Sequence, residues 1–385
     1  MRVAIIHYWL VGMRGGEKVL EALCEMYPQA DIFTHVVVPE AISERIARHR
    51  IKTSFIAKLP RAHIWYKKYL PLMPIALEHL DLRDYDLVIS SESGPAKGVI
   101  PAPGALHVCY CHSPMRYVWN MYHDYRQTAG SATRMSIPLA AHYLRNWDQN
   151  ASARVDTFVA NSHNVASRVQ KYYRRDAEVV YPPVDIAGFA RSDSVAPGDF
   201  YLMVGELVAY KRPDLAVHSF NATGAPLVVI GGGEMLEKLR RDARPNVKIL
   251  GPQPFAVLKD HYARCKGLIF PGEEDFGIVP VEAMAGGRPV IAFGQGGALE
   301  TVIDGQTGIL FHEQSVEALL DAIERANATS FDAARIANHA AAFSVGRFKQ
   351  EMSAAINRAF VEHSPARVRQ GRIGLAEDRK RAAYA

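Results

Sequence analysis

The sequence predicts an α/β protein built from two doubly wound, Rossmann-like units in tandem, on three observations. Its 385 residues, 49% hydrophobic and 22% charged, exceed what one hydrophobic core usually supports. Short β-branched runs are each followed by a helical pattern, the alternation that builds a parallel sheet covered by helices. A proline-rich stretch interrupts the series, which then starts afresh.

In the first unit the strand-like runs are 3–8, 32–38, 87–90, 106–111 and 157–160. The opening apolar stretch, 4–13, is interrupted by His7 and is shorter than the roughly 18 residues a membrane span needs. It also lacks a small-residue cleavage site, so a first strand is expected and not a signal peptide. Gly15, Gly16 and Glu17 follow, ahead of a helix whose apolar face is Val19, Leu20, Leu23 and Met26. Paired glycines at a helix start let backbone N–H groups approach a phosphate, although the same pair serves in ordinary turns. The spacing fails the G-x-G-x-x-G dinucleotide fingerprint, which counts against a dehydrogenase.

Residues 58–74 interleave Trp65, Tyr66, Tyr69 and Leu70 with Arg61, Lys67 and Lys68. Such a stretch suits an anionic membrane interface, or a surface helix with its aromatics turned inward. Asp84-Tyr85-Asp86 resembles a metal-holding D-x-D string but precedes a strand, the wrong end for a ligand, and reads as turn and capping chemistry. Cys109 and Cys111 alternate along an apolar run beside His112, which places both thiols on one face with no second ligand pair, so no metal is expected. Four scattered cysteines fit a reducing cytoplasm. Residues 113–150, rich in aromatics and arginine, break the alternation directly after a strand end and are expected to shape a substrate site.

The segment 181–197, with Pro182, Pro183 and Pro197, is expected to be the hinge. The second unit then offers runs at 201–204, 226–230, 247–250, 267–270 and 289–293. Lys211 and Arg212 sit in the loop after its first run, where a point charge and a guanidinium fork suit a diphosphate, or form a solvated basic turn. Gly231, Gly232 and Gly233 follow the next run and allow a close approach by a helix or a phosphate. After Phe331 the pattern is helical, and the last helix, about 345–362, is long enough at ~1.5 Å per residue to return to the first unit. The expected boundaries are 1–182 for the first domain, joined by about 345–363, 183–344 for the second, and 364–385 for a tail. That tail carries six cations against Glu377 and Asp378, most of the formal charge of +5, so the body is nearly neutral and shows no basic, aromatic face for nucleic acid.

The most informative string runs from Pro271 to Gly287. Glu273, Glu274 and Asp275 precede a helix, Glu282 lies within it, and the free N–H groups of Phe276, Gly277, Ile278 and Val279 suit an anion. Carboxylates so placed accept the vicinal hydroxyls of a sugar or ribose.

The E-x7-E element of Glu274 and Glu282, followed by Ala283 to Ala292, resembles the signature of family 4 retaining glycosyltransferases of GT-B fold. The likeness covers nearly the whole chain. His112 to Trp119 and Tyr210 to Arg212 are further similar to strings in bacterial polysaccharide and O-antigen mannosyltransferases. The resemblance implies two domains facing a cleft, with a last helix crossing back. It implies that Glu274 holds donor-sugar hydroxyls, Glu282 the ribose, and Lys211 with Gly15, Gly16 and the 276–279 amides the diphosphate. It also implies that His112 meets the sugar near the reacting carbon, that Arg212, Gly232 and Gly233 join the donor site, and that Glu17, Arg116 and Trp119 lie toward the acceptor. Many relatives have Arg where this chain has Glu206, a loss that Arg212 would offset. The implied reaction moves a hexose, mannose from GDP-mannose, to a glycan or lipid-linked oligosaccharide. The departing phosphate takes the acceptor proton, and neither metal nor other cofactor enters. A nucleotide-sugar epimerase of the same fold, or a silent sugar-nucleotide-binding subunit, are the other readings of these residues.

Overall fold

A computed structural model describes residues 1–128, 130–190 and 198–362. The basic tail at 364–385 and residues 191–197 of the expected hinge lie outside the described residues. The chain divides into two compact units: Met1–Asn161, Val165–Val180 and 349–362 form one, Ser162–Asn164 and Tyr181–Phe348 the other. Among the described residues no helix is long and apolar enough to cross a membrane.

The first unit holds seven parallel strands: β1 (Val3–His7), β2 (Asp31–Thr34), β3 (Ile51–Thr53), β4 (Leu87–Glu92), β5 (Leu106–Cys111), β6 (Thr157–Ala160) and β7 (Ala177–Val179). Their order in the sheet is β3-β2-β1-β4-β5-β6-β7. The central strands β1, β4 and β5 are buried along their whole length, because helices cover both faces and leave no solvent side to alternate with.

The second unit repeats the plan with β8 (Tyr201–Val204), β9 (Leu227–Ile230), β10 (Val247–Gly251), β11 (Leu268–Phe270), β12 (Val290–Phe293) and β13 (Gly308–Phe311), ordered β10-β9-β8-β11-β12-β13. One hydrophobic cluster lies on each face of this sheet, around Met284 and Phe276 on one side and Phe220 and Leu319 on the other. In each unit the direction of winding reverses once, between β1 and β4 and between β8 and β11. In open sheets of this kind ligands bind outside the carboxyl ends of the strands at such a reversal.

Three strands escape the sequence reading. β3, β7 and β13 are edge or near-terminal strands of three or four residues, too short to show a period. The expected hinge is ordered at its start: Ile186–Phe189 is a short helix, and Phe189 is buried against Tyr262 with ring centroids 5.1 Å apart. Pro182 and Pro183 lie just ahead of that helix. Among the described residues of 113–150 are the helices Tyr122–Thr128 and Ser131–Ser152, the second running just past the stretch. The stretch 58–74 is no single amphipathic helix but a short α-helix, Ala62–Trp65, followed by a tighter 3₁₀ helix, Tyr66–Leu72, with Pro71 inside it. Asp84-Tyr85-Asp86 lies ahead of β4, with Asp86 accepting the Arg2 N–H at 2.7 Å and Tyr85 donating to Asp31 at 2.5 Å.

Candidate functional site

In the second unit, the loops after β8 and β11 meet because those strands are neighbours at the reversal point. Gly272 is glycine for a steric reason: a Cβ there would lie 2.5 Å from the Lys211 Cα, so the two loops touch backbone to backbone. That contact brings Lys211 Nζ to 2.8 Å from Glu274 Oε1, each side chain less than one-fifth exposed. Burial alone would lower the Lys211 pKa, but Glu274 and the nearby Glu206 outweigh it, and the ammonium is held charged. The 273–276 loop is strapped by the Gly297 N–H, which donates to the Glu274 carbonyl at 2.9 Å.

The helix Ile278–Ala285 begins at Gly277, whose φ of +87° suits glycine, and no side chain caps it. Its opening N–H groups therefore point out of the helix start beside Lys211 and Glu274, with the positive end of the helix dipole behind them. Phe276 contributes only backbone, since its ring is buried against Tyr181 and Phe343. Ile278 and Val279 likewise turn their side chains onto the core. Glu282 accepts the Tyr262 hydroxyl at 2.8 Å, and Tyr262 is fully buried. Sequence reasoning missed Tyr262, which lies in a different helix, Phe255–Arg264.

In the first unit, His7 ends β1, Ser91 lies opposite it on β4, and His112 follows β5. Ser91 Oγ is 2.9 Å from His112 Nε2 and 3.1 Å from His7 Nδ1, while His7 Nε2 is 3.4 Å from Glu17 Oε1. Gly16, in the first turn of the helix Gly15–Met26, closes over them: a Cβ there would lie 3.5 Å from His7 and 3.8 Å from His112 Nε2. Burial above all pushes the His112 pKa down to about 3, against the pull of Glu17, so the ring is neutral. His7 had figured only as an interruption of an apolar run. A polar residue at the carboxyl end of a buried strand is the signal that could have singled it out.

Several residues stand elsewhere than expected. Glu17, expected toward the acceptor, is buried: its carboxylate accepts the Arg14 N–H at 3.0 Å as well as meeting His7. Trp119 turns inward, donating to Asp148 at 2.7 Å and stacking on Tyr172. Asp148 also accepts Tyr173 at 2.8 Å and pairs with Lys97, and with Glu92 these fully buried charges staple the helix Ser131–Ser152 to β4. Arg116 is half-buried in the same segment. Arg212 has φ +52° at the start of the next helix and bonds Asp214 at 3.3 Å and Gln314 at 3.4 Å, so its guanidinium is already held. The glycines after β9 serve chain packing: a Cβ at Gly233 would lie 2.4 Å from the Leu207 carbonyl, and Gly232 lies against Pro252.

Two family models match the chain, Glycosyltransferase Family 4 over residues 13–187 and Glycosyl transferases group 1 over residues 189–342. A D-inositol 3-phosphate glycosyltransferase of Mycobacterium tuberculosis is 28% identical over 259 residues, 58% of this chain and 53% of its own. A glycosyltransferase of Methanocaldococcus jannaschii is 28% identical over 180 residues, 45% and 50% of the two chains. The chain thus spans about half the length of the curated relatives it matches. Among solved structures, sucrose-phosphate synthase from Thermosynechococcus elongatus has a TM-score of 0.69 at 18% identity, covering 94% of this chain and 100% of its own. Anabaena HepE in complex with UDP has a TM-score of 0.65 at 17% identity, covering 93% and 100%. At these identities the likeness establishes the fold.

Proposed function

We propose, from the premise that the chain belongs to the family 4 glycosyltransferases of GT-B fold, that it transfers a hexose from a nucleoside-diphosphate sugar to an acceptor hydroxyl with retention. The observation that carries this reading is the Lys211–Glu274 pair, 2.8 Å apart beside the uncapped start of the helix Ile278–Ala285. As the bond between the anomeric carbon and the diphosphate oxygen breaks, negative charge grows on phosphate and positive charge on the sugar ring. The Lys211 ammonium and the opening amides of the helix meet the first, and the Glu274 carboxylate accepts sugar hydroxyls. Glu282, held by Tyr262, is oriented to accept ribose hydroxyls. The acceptor oxygen bonds to the anomeric carbon on the face the phosphate leaves, and its proton passes to the departing phosphate oxygen. No metal or other cofactor is needed for these steps.

GDP-mannose is the proposed donor, on the likeness of 112–119 and 210–212 to polysaccharide mannosyltransferases. A UDP-hexose is the second reading, supported by a fold neighbour crystallised with UDP-glucose. The proposed acceptor is a glycan or a polyprenyl-diphosphate-linked oligosaccharide at the inner face of a membrane. Exposed Arg61, Lys67 and Lys68 beside exposed Ile64, Leu72 and Ile75 support peripheral contact with anionic lipid.

A thermal-shift panel of GDP-mannose, UDP-glucose, UDP-galactose and UDP-N-acetylglucosamine tests the reading. A ligand at one hundred times its dissociation constant stabilises by roughly 2.7 kcal/mol. The reading fails if no nucleotide sugar raises the melting temperature. An epimerase would convert the sugar that binds with no acceptor present.

A further inference from the structure

The polar chain in the first unit has a direction that its chemistry dictates. Burial alone would raise the Glu17 pKa, but the His7 ring and the N–H groups of Glu17 and Arg14 outweigh it and hold the carboxyl below its ordinary value. Glu17 is therefore acceptor-only, and His7 Nε2 must carry the hydrogen between them. With a single ring hydrogen, held at Nε2 by Glu17, His7 leaves Nδ1 as an acceptor. The Ser91 hydroxyl, 3.1 Å away, must donate to that Nδ1. Its oxygen is left to accept, and the group it faces at 2.9 Å is His112 Nε2, which must carry the hydrogen. All three hydrogens point toward Glu17.

We propose that Glu17, His7 and Ser91 form a relay of positioning residues that locks His112 in its Nε2–H tautomer, so that Nδ1 presents a lone pair that accepts a hydrogen bond from a substrate hydroxyl. Among the described residues Nδ1 takes no hydrogen-bond partner. The main-chain N–H of His112 donates to the Glu92 carbonyl at 2.7 Å, which fixes the residue from the backbone side. A second proton on the His7–Glu17 pair would leave His7 Nε2–H on Glu17 and reverse the two bonds of Ser91: His7 Nδ1–H would donate to Ser91, Ser91 to His112 Nε2, and His112 Nδ1 would become a donor. The proton count of the pair at the far end thus decides whether His112 Nδ1 accepts or donates. The relay is geometric, but its consequence for transfer rests on the function proposed above.

The test is nitrogen-15 NMR of histidine-labelled full-length protein, with the His112 signals assigned by their loss in His112→Gln. The expected result is the Nε2–H pattern in the wild type. Ser91→Ala should abolish that preference and lower kcat about tenfold or more, with the donor KM within about threefold, while Ser91→Thr, which keeps the hydroxyl, recovers the wild-type pattern. An Nδ1–H pattern in the wild type overturns the relay without touching the transferase reading. So does a Ser91→Ala protein whose His112 pattern is unchanged. If the pattern is as expected but no nucleotide sugar supports transfer, the transferase reading fails and the relay survives.

Discussion

Replacing Glu274 by glutamine is expected to tighten the binding of a nucleoside diphosphate while slowing sugar transfer. In the structure Lys211 Nζ is spent on Glu274 Oε1 at 2.8 Å, with 17% and 19% of the two side chains exposed. Exposed ion pairs stabilise by about 0–1 kcal/mol and breaking buried ones costs about 3–5. A pair with this little exposure falls between, at about 1–2 kcal/mol. A diphosphate has to draw Lys211 away from Glu274, and a neutral carboxamide in its place does not compete. The diphosphate alone should therefore bind about 5–30-fold more tightly to Glu274→Gln. Transfer goes the other way, because a charge-assisted bond to a sugar hydroxyl is lost, roughly 1.5–3 kcal/mol or about 10–150-fold in kcat. Titration calorimetry with the diphosphate of whichever donor the panel selects, run beside Lys211→Ala, measures the first effect, and initial rates measure the second. Lys211→Ala should weaken the diphosphate at least about tenfold. If Glu274→Gln binds no tighter than wild type and Lys211→Ala is unimpaired, Lys211 is not a phosphate ligand.

Three further expectations follow from particular contacts. Gly231→Ala should cost about 3 kcal/mol or more, because φ is +146° and the new Cβ would lie 1.8 Å from the Gly205 carbonyl oxygen. A thermal melt should fall by roughly 6–12 °C, and an unchanged melt would refute the close approach. His107 is buried between Ser90 and the Arg154 carbonyl, and burial holds its pKa down to about 4 against an ordinary 6.5. The unfolded chain binds that proton first, so the stability it represents is full above pH 6.5 and is lost as pH falls toward 4, about 3 kcal/mol in all. Urea unfolding of His107→Gln should show a correspondingly shallower decline between pH 7 and pH 4.5, and an identical slope would contradict the assignment. Reversing Lys67 and Lys68 to glutamate should strip the protein from anionic vesicles in co-sedimentation, at about 1 kcal/mol for each charge removed. Equal binding of the two proteins would remove the membrane contact.

The two-unit α/β plan was legible in the sequence because it is written locally. Central parallel strands are buried on both faces, so runs such as Leu106–Cys111 and Tyr201–Val204 are apolar enough to be read from one short window. The same holds for Glu274 and Glu282, whose spacing belongs to one loop and one helix. The edge strand Ile51–Thr53 carried no such record, since none of its three residues is buried.

What tertiary structure alone decided is which distant residues share a bond. His7, Glu17, Ser91 and His112 come from four elements, and only the order β1-β4-β5 with the first helix above it brings them to one line. The family resemblance led Trp119 and Glu17 to be expected toward the acceptor and Gly233 at the donor, yet their partners in space are Asp148, His7 and the Leu207 backbone. The physical reason is that propensity and hydrophobic period act over a few residues, whereas a buried polar atom is satisfied by whatever the sheet order places within about 3 Å of it.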